Sequence, residues 1–172
     1  PVTDVMNLCN EIGRLTGRKP NKMVVGTDLA VTLLNHSDIK NRIQQSQLGI
    51  PTLDLVARIM GLMTIVEARS TRNIAVQNED SSVTTMSFIA DGKSFLLVYA
   101  NPSSTPTRNQ PSGGYYLQWS RMHPQVPTDM GMMVNSLRLP EVEHGDWFEV
   151  VDAAQPVIVG PDYGVFASSV IG

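Results

Sequence analysis

Apolar residues recur at three- and four-residue spacing from the start of the chain: Val5, Leu8, Cys9, Ile12, Leu15 and Thr16. One face of an α-helix has that spacing, so residues 3–16 are predicted to form an amphipathic helix. Thr3 is the expected N-cap and Gly17 the C-cap glycine. Gly13 weakens the last turn by up to about 1 kcal/mol relative to Ala. After the basic turn Arg18-Lys19-Pro20-Asn21, the run Met23-Val24-Val25 reads as a short buried strand. Thr27 or Asp28 is expected to cap a helix through Leu34, and Ser37 another through about Gln45 with Ile39 and Ile43 on one face. Thr52 then caps a helix from Leu53 to Met60, which Gly61 ends.

From Leu62 the period changes. Leu62, Thr64 and Val66 alternate with Met63, Ile65 and Glu67, as in a strand that is apolar on both faces at first. The polar stretch from Asn78 to Thr85 reads as a loop or hairpin connection. Phe88 to Ala90, Asp91-Gly92-Lys93 and Ser94 to Ala100 read as strand, tight turn and strand, because Asp-Gly between apolar runs is a hairpin signal. Asn101 to Gly114 has three Pro, two Gly and no aliphatic residue, which predicts a long exposed loop. Tyr115 to Trp119 is a strand, whereas Met122 to Met133 is rich in Pro, Gly and Met and reads as irregular. Trp147 to Val159 and Tyr163 to Ile171 are β-rich and divided by Gly160-Pro161-Asp162. The order is helix, strand, three short helices, then β-structure. That is α+β with a mixed or antiparallel sheet, not a doubly wound alternation.

Composition narrows the picture. With 172 residues, 42% of them hydrophobic, the chain is long enough to bury a sizeable core in about one domain. A single Cys excludes a disulfide-stapled scaffold. No apolar run reaches the ~18 residues of a membrane span, and no signal peptide opens the chain. The first residue is Pro1, which suggests a processed piece of something longer. A pI near 5.5 argues against dedicated nucleic-acid binding. Charge is polarised: residues 1–72 hold nine Lys/Arg against six Asp/Glu, and residues 73–172 hold four against ten. Such polarity can orient copies of the protein basic region to acidic region, or be an incidental bias of a solvated surface.

Residue chemistry is sparse. The three histidines, His36, His123 and His144, lack the spacing that sets metal ligands on one face, and solvated surface is the simpler reading of each. There is no G-x-S-x-G elbow, dinucleotide fingerprint or Walker loop, and Gly160-Pro161-Asp162-Tyr163-Gly164 reads as a turn. Cys9 lies on the apolar stripe of the first helix and reads as inert packing, because activation needs cationic or helix-N-terminal surroundings. Met122, Met130, Met132 and Met133 suit either an adaptable contact surface or core filling. Arg14, Arg18, Lys19 and Lys22 complement the dipole at the end of the first helix, with weak polyanion contact the lesser alternative. No catalytic, cofactor-binding or metal-ligating residue is assigned.

The order of four segments resembles the C-terminal two-thirds of a tailed-bacteriophage major capsid protein, the Hong Kong phage 97-type fold shared with encapsulin shells. VMNLCNEIGRLTGRKPNKMVVGTDLAVTLLNHSDIKNRI is similar to the end of that family's spine helix and the opening of its axial domain. TLDLVARIMGLMTIVEARS resembles its helix, glycine and axial strand, and SFLLVYANPSSTP the strand that leaves the axial domain. GDWFEVVDAAQPVIVGPDYGVFASSVI resembles the long strand returning along the peripheral domain and the last axial strand. The resemblance implies an axial domain at 21–100 and 163–172, with a mixed sheet and short flanking helices. It implies a peripheral domain at 1–20 and 101–162, with the spine helix and long β-strands. The family's N-terminal arm and extended loop would lie upstream of residue 1, making the chain the core of a longer coat protein.

The same resemblance implies a structural, non-enzymatic subunit of an icosahedral phage or prophage head, without cofactor. It would assemble in the bacterial host cytoplasm and end in the virion. Its partners would be copies of itself in pentamers and hexamers, scaffold or portal proteins, and packaged DNA through weak non-specific contact, with no membrane. Three readings compete: an encapsulin-like compartment shell, a phage tail or adaptor module, and a small metal-dependent hydrolase using His36, His123 or His144 with nearby acids.

Overall fold

A computed structural model of the chain describes residues 1–45, 50–74, 85–103, 111–119, 132–139 and 145–171. They form an α+β structure that divides into two compact units. The first is Pro1–Gly113 with Gly160–Gly172, and the second is Gly114–Val159. Residues 78–84, 104–110 and 122–131, for which the sequence predicts a loop or hairpin connection, most of a long loop and an irregular stretch, lie outside the described residues.

The first unit is organised by helix α1 (Val2–Thr16), which turns its buried Val2, Val5, Cys9 and Ile12 inward and ends at Gly17. Gly17 is left-handed at φ 71°, and its N–H donates to the Gly13 carbonyl. Thr3 is not the N-cap: the helix starts one residue earlier, and the Val5 N–H bonds the Pro1 carbonyl. Leu15, placed on the stripe by its spacing, is 64% exposed.

Strand β1 (Lys22–Val25) leads into α2 (Thr27–Asn35), α3 (Ser37–Gln45) and α4 (Leu53–Met60). Helix α4 has the predicted boundaries. The Thr52 hydroxyl accepts the Leu55 N–H, and Gly61 at φ 73° allows the Gly61 and Leu62 N–H groups to reach back to Arg58 and Ala57. Helix α2 starts without the expected Thr27 or Asp28 side-chain cap. Its N-cap is Gly26, and the Leu29 N–H donates to the Gly92 carbonyl at 2.9 Å.

That bond also explains a second departure from the sequence reading. Asp91-Gly92 does not join two strands of a hairpin. Strand β2 (Thr64–Glu67) is followed by β3 (Thr71–Asn73) and β4 (Met86–Phe88), which pair with each other. Strand β5 (Phe95–Val98) instead pairs β1. The Asp91–Ser94 turn is fastened to the start of α2 from both sides, since the Gly26 N–H also donates to the Ser94 carbonyl at 2.9 Å. A Cβ at Gly26 would overlap the Asp91 and Gly92 carbonyl oxygens, so this close approach requires glycine.

The last strand of this unit, β10 (Gly164–Ala167), completes a four-stranded mixed sheet in the order β10-β5-β1-β2, with β1 and β2 parallel and the other pairs antiparallel. Register alternates its faces. The row Val165-Leu97-Met23-Ile65 lies against the helices, and Leu97 and Met23 are almost fully buried. Each such side chain contributes about 1.5–3 kcal/mol of transfer free energy. The core also takes in Leu29, Ile39 and Val56 from α2 to α4. Pro1–Pro20 thus has its buried residues in the same core as Met23 and Leu97.

The second unit consists of two antiparallel ribbons. Strand β6 (Gly114–Gln118) pairs β9 (Ala154–Ile158), and β7 (Met132–Leu139) pairs β8 (Gly145–Asp152). Met132 and Met133, expected to be irregular, open the β7 ladder, because eight consecutive residue pairs align there. No helix among the described residues is long and apolar enough to cross a membrane.

Candidate functional site

Among the described residues, those that sequence spacing singled out do not converge on one site. His36 is half-buried and serves the helix junction: its Nδ1 accepts the Asp38 N–H at 3.2 Å, the role expected of a Ser37 cap. Asp38 is engaged in turn by Arg42 Nε at 3.0 Å, one helical turn on. His123 and His144 lie outside the described residues. Among the described residues no group of three His, Cys, Asp or Glu is placed to hold a metal ion.

Cys9 is buried, and burial pushes its thiol pKa up while the Lys19 ammonium pulls weakly the other way. A thiol in that setting is a poor nucleophile. Of the basic cluster, Arg18 turns to the core's margin. Its guanidinium lies 5.8 Å from the centre of the Tyr99 ring and donates to the Tyr99 hydroxyl at 3.4 Å. Tyr99 in turn packs near Tyr163, with ring centroids 6.2 Å apart, and Pro161–Tyr163 form one turn of 3-10 helix. Beside them the Asn21 amide brackets Ala100, donating to its carbonyl and accepting its N–H, both at 2.8 Å. At the end of β2 an exposed Arg69 guanidinium donates to Glu67 at 2.7 Å, and this hydrogen bond holds the half-buried Glu67 carboxyl below its usual range.

What the structure does assemble is apolar and exposed. On the β7/β8 ribbon, Val134 lies opposite Val150, Met132 opposite Asp152 and Ser136 opposite Phe148. Residues of one parity share a face, so Met132, Val134, Phe148 and Val150 form one apolar patch. They are 56%, 63%, 70% and 67% exposed. The opposite parity holds Met133, which is buried. On the β6/β9 ribbon Tyr116, Leu117 and Ile158 are exposed, and Trp119 follows the end of β6.

The first unit has a comparable row, besides the exposed Met86 and Phe88 of its β3/β4 ribbon. Between two inward-facing rows of its sheet, Phe166, Leu96, Val24 and Val66 stand side by side across all four strands on the face away from the helices. Phe166 is 66% exposed. Lys22, two residues before Val24, shares that face and is exposed.

Spacing alone did not single out either patch, although a signal was present. In Trp147-Phe148-Glu149-Val150-Val151 apolar residues occupy both parities, and a ribbon with that pattern needs cover on both faces. Isolated two-stranded ribbons are marginal in water, and contiguous exposed apolar surface marks contact sites.

No protein-family model matches the chain, and no curated protein matches it either. Among solved structures it is similar to a phage-related protein from Bordetella bronchiseptica RB50. The TM-score is 0.74 at 18% sequence identity, over 99% of this chain. The chain spans about half of that solved chain, 51% of its length. The α+β fold described above is therefore the fold of part of that protein.

Proposed function

We propose that the chain is a non-catalytic structural subunit of a phage or prophage head shell, of the tailed-phage major capsid type. The observation that carries this reading is the second unit. Its ribbons leave nine large hydrophobic side chains exposed, Phe148 and Val150 among them, while Met133 is buried. A segment built that way gains its stability in contact with other chains, which is the requirement of a tile. The fold likeness to a phage-related protein supports the same direction, as does the segment order of the sequence. In this reading the partners are copies of the same protein in pentamers and hexamers, with scaffold, portal and packaged DNA as secondary contacts. The capsid family's axial domain is proposed at 21–100 and 163–172 and its peripheral domain at 1–20 and 101–162, with helix α1 of the latter packing its buried face into the axial core, and without cofactor. Assembly takes place in the bacterial cytoplasm and the product resides in the virion.

The test is electron microscopy and sedimentation of the complete gene product that contains this chain. Uniform closed particles tens of nanometres across are expected. A product that stays monomeric at high concentration and in the presence of co-expressed neighbouring genes overturns the reading.

A further inference from the structure

Two apolar patches need a partner, and their charge decides which. The second unit carries two Lys/Arg against six Asp/Glu, a net −4, while the first carries eleven against ten, a net +1. Pairing one β7/β8 ribbon with the same ribbon of another copy would bring two strongly acidic units together, and like charges in apposition oppose association. Pairing the ribbon with the first unit of another copy has no such cost.

The local rims agree. Beside the ribbon patch stands exposed Asp152, two residues from Val150 and on its face. Beside the sheet row stands exposed Lys22, two residues from Val24 and on its face. Apart from Arg138 and Asp146, which stand opposite each other further along the ribbon and offset one another, each surface is a short apolar row flanked by one charge, and those two charges are opposite. The shapes also fit, since a ribbon and a sheet stack face to face about 10 Å apart with interleaved side chains.

We propose that the Met132, Val134, Phe148, Val150 face of one copy packs on the Phe166, Leu96, Val24, Val66 row of another, with Asp152 against Lys22. This rests on the shell-subunit reading and specifies its contact. The contact is heterologous, one surface to a different surface, and head-to-tail contacts of that kind close into rings or run on as filaments. Eight side chains make a small interface by the standard of stable complexes, so each contact is weak alone and effective only when repeated.

The test uses the full chain with Cys9→Ala as background. Val150→Cys and Leu96→Cys variants, distinguishable by mass, are mixed at high concentration and treated with a short bis-maleimide. Faces stacked about 10 Å apart exceed the roughly 7 Å between Cα atoms that a direct disulfide allows, so the spacer joins the thiols and the link reports apposition. The mixed dimer is expected to exceed, several-fold, either self-dimer and the dimer formed by Val150→Cys with Lys40→Cys on helix α3. Concentrated salt should lower its yield. Lys22→Glu should lower it as well, and Lys22→Glu mixed with Asp152→Lys should restore it. Because all these positions except Leu96 are well exposed, circular dichroism should be unchanged. Two results overturn the proposal: a dominant Val150→Cys self-dimer, which places ribbon on ribbon, or a mixed dimer no stronger than the Lys40→Cys control. Particles without the Val150–Leu96 bridge reject this contact and leave the shell reading intact. A bridge in a product that forms no closed particles supports the contact and rejects the shell.

Discussion

The two units solve the same problem in opposite ways. In the first, eighteen hydrophobic residues from four helices and a four-stranded sheet enclose one another, and the strands keep their apolar surplus to a single row on the outer face. In the second, eight-residue strands pair with good register, and Met133 is buried, yet Met132, Val134, Phe148 and Val150 are exposed. Backbone hydrogen bonding is similar in both, so what separates them is the destination of the side chains. Ladder bonds contribute little net stability, because the unfolded chain is bonded to water. Burial is what the second unit lacks within its own chain. The contrast teaches that register alone does not make a self-sufficient domain, and that an element can be well formed and still depend on a partner.

The largest effect expected from this contrast is in the core. Leu97→Ala removes a fully buried side chain at the centre of the sheet and should cost about 2–5 kcal/mol in urea unfolding. Phe148→Ser in the ribbon, a larger chemical change at a 70% exposed site, should stay within about 0.5 kcal/mol in the free chain. A ribbon substitution as costly as the core one would break the distinction.

Next comes Asn21→Ala, which removes both hydrogen bonds to Ala100 and should cost about 1–3 kcal/mol, measured the same way. Smaller still is the effect of pH on Cys9. Its folded pKa is raised, so folded protein holds the thiol proton more tightly than unfolded protein does. Stability should therefore fall as pH rises from the unfolded thiol's pKa through the folded one. Cys9→Ala should lack that loss when unfolding midpoints at about pH 7 and about pH 10 are compared. The smallest effect is at Arg69→Ala. It should return the Glu67 titration upward to its ordinary range in an NMR pH series with little change in the unfolding midpoint, because the Arg69 side chain is largely in solvent.

Local signals carried much of the first unit. Thr52 and Gly61 bound α4 as their cap chemistry requires, and Val5, Cys9 and Ile12 lie inward as their spacing implies. The failures have tertiary causes. Leu15 continues the stripe but has no neighbour to cover it, and Asp91-Gly92 has hairpin chemistry that the start of α2 appropriates. No local rule registers the Gly92 carbonyl, far along the chain from Leu29, serving as a helix cap. The candidate surfaces were the least legible. Alternation shows that Phe148 and Val150 share a face, and that Val24 and Leu96 suit strands. Which face receives the helices, and which remains open, depends on the register between strands distant in sequence.

The most direct test of the central claim is residue-level hydrogen exchange on the free chain and on assembled particles of the complete gene product. In the free chain, the amides of Lys22–Val25 and Phe95–Val98 should exchange slowest and those of Met132–Leu139 and Gly145–Asp152 much faster, since opening the ribbon exposes little buried surface. On assembly the ribbon should become protected and the sheet should change little. A ribbon as slow as the sheet in the free chain, or one that gains no protection in the particle, would contradict the account.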